Sequence, residues 1–150
     1  MDNDNDVSTL NSLIKTTLDS VKGFEDAAED AHGRFSQLFR EFADERQQIA
    51  SRLQEEVRRL GGNPEDDSSF LAAVHRTFMN LKQSVMSRDD KAIVEEVERG
   101  EDYLKGKYED ALREKDISPQ TRAVIESAFA SVREGHDRAS ALKHSMANEP

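Results

Sequence analysis

Four residues of this chain have side chains that would do chemistry together if a fold assembled them: Glu25, Glu45, Glu101 and His136. Carboxylates and an imidazole suit iron, manganese or zinc, and facing helices can hold such a set in a bundle core. Glu101 carries the expectation furthest. It lies four residues after Val97 and three before Leu104, on a seam made by Val94, Val97, Leu104, Tyr108 and Ala111. That alternating three- and four-residue spacing is the core face of a helix. A carboxylate there needs a partner, because burying it unpaired is expensive.

A complete two-metal site in a helical bundle takes a Glu from each of two helices and Glu-x-x-His from each of the other two. Here the pairs are Glu45-x-x-Gln48 and Arg133-x-x-His136, each short of one member, and Gln48 points away from the seam. A full catalytic centre is therefore disfavoured. A single-metal site and a purely structural polar layer remain, with the structural layer preferred. Arg46 is its candidate partner, placed to neutralise Glu101 or Glu25 by an ion pair.

The elements that must position these residues read as four long helices. The first follows an acidic leader of residues 1–6, with Asp6 or Ser8 as cap. Its stripe is Leu10, Leu13, Ile14, Thr17, Leu18, Val21, Phe24 and Ala28. His32-Gly33 is a short break, which implies antiparallel neighbours. The second helix, about 34–60, buries Phe35, Leu38, Phe39, Phe42, Ile49, Leu53 and Val57, and charge intrudes on its face at Glu45 and Arg46. Gly61-Gly62-Asn63-Pro64 is a strong stop. A short helix over 70–87, with seam Leu71, Val74, Phe78, Leu81 and Val85, precedes the Glu101 helix. Ser118-Pro119 starts the last helix, which runs to about Met146.

If the short helix climbs back along the bundle, helices two and three run parallel, the ferritin-like connection. At about 1.5 Å per residue, seventeen or so residues span much of a bundle's length. Glu45, Glu101 and His136 then lie at similar depth, with Glu25 about one turn away. Gly100 and Gly135 fall at the same level, where small residues allow close approach. The expected fold is an all-α ferritin-like four-helix bundle over residues 7–146 with an extra helix in the crossover.

Composition agrees: charged and hydrophobic residues each make up 35%, with three Pro and seven Gly, a balance that suits helices better than sheets. The net charge of −10 argues against nucleic acid and acidic membrane surfaces. No stretch approaches the roughly 20 apolar residues of a membrane span. Without Cys there is no disulfide and no thiolate chemistry. A cytoplasmic location is the default. His32, His75 and His144 form no ligand-spaced pair, and no Gly-rich phosphate loop or Gly-x-Ser-x-Gly motif occurs.

Several runs resemble a bacterial family of unknown function. They are Leu10-Asn11-Ser12-Leu13-Ile14, Asp19-Ser20-Val21-Lys22-Gly23-Phe24 and Ala27-Ala28-Glu29-Asp30 in the first helix, then Leu38-Phe39-Arg40-Glu41 with Glu45-Arg46. Val57-Arg58-Arg59-Leu60-Gly61-Gly62, His75-Arg76, Met79-Asn80-Leu81-Lys82, Glu98-Arg99-Gly100-Glu101-Asp102 and His136-Asp137-Arg138 complete the pattern. The family is similar to four-helix-bundle proteins of the ferritin-like superfamily, some of them linked to bacterial stress responses. The resemblance implies a fold and a kinship rather than an activity. It carries ligand positions over at Glu45, Glu101 and His136, with Glu25 beside them.

The sequence thus reads as a non-enzymatic helical bundle whose carboxylate–His layer has room for one iron, manganese or zinc ion. One rival is a di-iron or di-manganese oxidase or peroxide-scavenging enzyme. The other is an interaction module using its acidic helices or the 70–87 segment to bind a protein partner. A homodimer is compatible with the sequence, though no residue demands it.

Overall fold

The amphipathic runs become four helices whose apolar stripes meet in one bundle. The computed structural model describes residues 3–31, 34–66, 85 and 89–147. The helices are α1 (Asp4–Asp30), α2 (Arg34–Arg59), α3 (Asp90–Leu112) and α4 (Pro119–Ala147), and no strand occurs among the described residues. α1 begins at Asp4, inside the stretch expected to be a leader. The expected helix over 70–87 lies outside the described residues except for Val85, which is buried in the core.

Several helix ends have an identifiable cause. At the end of α2, Gly61 adopts φ 84°, the left-handed conformation that glycine reaches without penalty. The Gly61 amide then bonds the Arg58 carbonyl and the Gly62 amide the Val57 carbonyl, closing a Schellman turn. Asp89 caps α3 by accepting from the amides of Lys91 (3.1 Å) and Ala92 (3.3 Å). The last carbonyls around the α3 terminus, those of Leu112 and Glu114, accept from the Arg122 guanidinium. At the start of α4, the Ser118 hydroxyl accepts from the Thr121 amide at 3.2 Å, and Pro119 takes the first helical position.

α1 packs on α2 and α3, and α4 packs on the same two helices, so α2 and α3 face each other across a diagonal. Direction follows from which residues share an end. Leu10, Leu53, Leu104, Ala111 and Ile125 belong to one apolar cluster, while Phe24, Phe39, Ile93, Val94 and Ala139 belong to the other. α1 and α4 therefore run one way, α2 and α3 the other. Every neighbouring pair is antiparallel, and one long crossover joins α2 to α3, as the expected topology required. Phe24 stacks on Phe42 at 5.0 Å and sits 5.7 Å from Phe39 in one cluster, and Tyr108 stacks on Phe129 at 6.2 Å in the other.

Asp6 explains why α1 starts early. Its carboxylate accepts from the Ser118 amide at 2.9 Å and the Thr121 hydroxyl at 3.0 Å, so α1 caps α4. Burial alone would raise the Asp6 pKa. The bonds from Ser118 and Thr121 and the charge of Arg59 outweigh it, and the carboxyl is held below its ordinary range. A depressed folded-state pKa contributes stability that is present above the unfolded value and is lost as pH falls through the folded one. Wild-type stability should therefore decline below about pH 4 with a component that Asp6→Asn removes. At neutral pH Asp6→Ala, which removes both accepted bonds, should cost about 1–2 kcal/mol. Urea denaturation of all three proteins across that pH range checks this; parallel curves would refute it.

Candidate functional site

The two apolar clusters are separated by a polar layer at mid-bundle. Arg46 of α2 lies four residues after Phe42 and three before Ile49, a seam position that points its side chain inward. Glu101 holds the equivalent place on α3. The two meet across the diagonal: Nη1 of Arg46 donates to one Glu101 oxygen and Nη2 to the other, both at 2.7 Å. Both side chains are 0% exposed. The long arginine stem makes this possible, because the diagonal is the widest gap in a four-helix bundle.

α4 accommodates the pair by omitting a side chain. A Cβ on Gly135 would collide with Nη2 of Arg46 and come within 3.4 Å of its guanidinium carbon and of the Phe42 ring. The sequence suggests that a small residue here lets helix backbones approach; at Gly135 the space is taken instead by a guanidinium and an aromatic ring. Arg46 also lies over the Phe42 ring at 5.7 Å, and Arg138 stacks on the same ring at 5.0 Å. Burial opposes the charge on Arg46. The Glu101 carboxylate, with smaller contributions from Tyr108 and Glu45, more than offsets it and holds the guanidinium above its usual pKa. Nε of Arg46 is buried with no hydrogen-bond partner among the described residues, so the site is costly even when paired.

A second buried bond lies beside the layer. Thr17 donates to the Leu13 carbonyl at 2.7 Å, which leaves its oxygen to accept from the Tyr108 hydroxyl at 2.8 Å. Burial pushes the Tyr108 phenol up to about 12, against the opposing effects of Thr17 and Arg46. It is a neutral hydrogen-bond donor at any ordinary pH.

The four candidate ligands do not assemble. Glu101 is in the core with both oxygens engaged by Arg46. Glu45, one residue earlier and so rotated by about 100°, is exposed, and it accepts from Arg138 at 3.0 Å on the α2–α4 surface. Arg138 bonds Glu41 as well, at 3.0 Å. His136 flanks the α4 seam and turns toward α3, where Nε2 sits 2.6 Å from Asp102; Nδ1 is 3.6 Å from Asp137. Glu25 is exposed on α1. Among the described residues no three His, Cys, Asp or Glu side chains form a group able to hold a metal ion. A divalent cation bound by Glu45, Glu101 and His136 would have to displace a guanidinium already matched to Glu101 in charge and geometry. The donor set does not fit that ion.

Sequence reasoning placed Arg46 among the candidate partners but missed the Asp6 and Thr17 bonds. Asp6 and Thr121 are 115 residues apart, and no local pattern announces such a pair. Thr17 had a legible signal: a hydroxyl on an apolar seam needs a partner as surely as a carboxylate does.

No curated protein matches the chain. A family described as a domain of unknown function, DUF2383, matches residues 5–114, which span α1 to α3 and include both members of the buried ion pair, and the chain belongs to that family.

Proposed function

We propose that the protein is a cytoplasmic, non-enzymatic bundle of the ferritin-like type that uses an arginine where metal-binding relatives would use an ion. The bidentate Arg46–Glu101 pair carries this reading. With its central carboxylate neutralised from within, the bundle acts through its surface, as an interaction module for a protein partner. The one large apolar side chain exposed among the described residues is Tyr103, at 45%. No helix among the described residues is long and apolar enough to cross a membrane. The parallel α2 and α3, joined by one long crossover, support the ferritin-like kinship.

Elemental analysis tests the proposal on protein purified without chelator or affinity tag, beside the Glu101→Gln, His136→Ala double variant. Both should contain only trace metal and resist loading with iron, manganese or zinc. Near-stoichiometric metal in the wild type that vanishes in the variant would overturn the reading in favour of a metal-dependent oxidase or peroxide scavenger.

A further inference from the structure

The four helices form two hairpins, α1–α2 and α3–α4. Within each, the helices are separated by only a few residues, 31–33 in one and 113–118 in the other, which limits how far one partner can shift along the other. Between them the chain takes residues 60–89, a far longer connection than either of those. The faces that the hairpins offer each other include aliphatic residues, Ile49 and Leu53, Val97 and Leu104, Val132 and Ala139, beside Phe42 and the bonds of Asp6 and Thr17. Aliphatic side chains specify height only weakly, because hydrophobic groups of about the right size repack with modest loss. In coiled coils, single buried polar residues settle this ambiguity.

A one-turn slip here would be punished twice. It would carry the Arg46 guanidinium from Gly135 to the level of Val132 or Ala139, whose side chains occupy the space it needs. It would also carry Glu101 toward Phe42 and Ala43 or toward Ile49 and Ala50, all buried and apolar. Each charge would then be buried without a partner. Because Glu101 and Gly135 belong to the same hairpin, a slip moves both away from Arg46 together.

We infer that Arg46, Glu101 and Gly135 form a register lock between the two hairpins, selecting one height among several that the apolar faces allow. The lock is independent of the surface role proposed above. The chain has no Cys, so introduced pairs report register cleanly. Glu45→Cys with Arg138→Cys joins side chains that touch in the native register. Glu45→Cys with Glu134→Cys, or with Ala141→Cys, joins positions one turn off, both exposed on the same side of α4.

Each pair is built into the wild type and into Arg46→Met/Glu101→Leu and treated with a short bismaleimide. In the wild type, the native pair alone should crosslink efficiently. In the apolar variant, the off-register pairs should rise to yields comparable with the native pair. A folded apolar variant that still crosslinks only at the native pair overturns the lock, and it assigns register to the Asp6 and Thr17 bonds instead. If the apolar variant loses its helical circular dichroism, Arg46→Gln/Glu101→Gln carries the same readout. Loss of fold there also overturns the inference, since the pair would then be holding the structure together rather than choosing between registers.

Discussion

Glu101→Leu should destabilise the protein by about 3–5 kcal/mol, on the order of 10 °C in melting temperature for a chain of this size. The loss has little to do with the carboxylate's own interactions. Removing it leaves the Arg46 guanidinium fully buried between apolar clusters, with Nε already unpartnered. A guanidinium cannot shed its charge by giving up a proton. Arg46→Met should cost less, because an abandoned carboxylate can be relieved by taking one up. The double variant Arg46→Met/Glu101→Leu should lie well above the sum of the two, since neither charge is then stranded. Urea denaturation of the four proteins gives the coupling directly, provided the slope of the transition is unchanged. Glu101→Leu within about 1 kcal/mol of wild type would mean that solvent reaches the pair, and the description of a sealed polar layer would fail.

The second large effect concerns a residue with no side chain. Alanine is the better helix former by about 1 kcal/mol, so an interior helical glycine is ordinarily a place to gain stability. Gly106 of α3 is such a place, because nothing lies within 4 Å of an added Cβ, and Gly106→Ala should stabilise by up to about 1 kcal/mol. Gly135→Ala should go the other way and destabilise by about 1–3 kcal/mol. Its Cβ would collide with Nη2 of Arg46, a group that cannot swing aside while both of its terminal nitrogens hold Glu101. In the Arg46→Met background the obstruction is gone, and Gly135→Ala should become neutral or stabilising. If Gly135→Ala and Gly106→Ala shift the melting temperature equally in the same direction, Gly135 is an ordinary helical glycine and the cradle is refuted.

Much of this protein follows from residue order alone. The helices were legible because their apolar residues recur at helical spacing, and because Gly61-Gly62 and Ser118-Pro119 carry backbone preferences that act locally. The depth of Arg46, Glu101 and Gly135 was legible too: rise per residue is constant, so a topology converts sequence position into height. That Arg46 and Glu101 face inward follows from their places on the seams at 42–46–49 and 97–101–104.

Seam position specifies a face, however, and not the group across from it. The sequence holds several carboxylates near the right level, and only the packing of three helices decides that Arg46 reaches Glu101. Glu45, one residue away, is turned to the surface, where Arg138 takes it. His136 flanks the α4 seam and finds Asp102 on α3 rather than the core. The Asp6 cap on α4 joins residues 115 apart in the chain, which no local pattern encodes. The physical reason is common to all of these. Backbone preference and periodicity act over a few residues, whereas the partner of a buried charge is chosen by side-chain reach across a gap that exists only once the helices have packed.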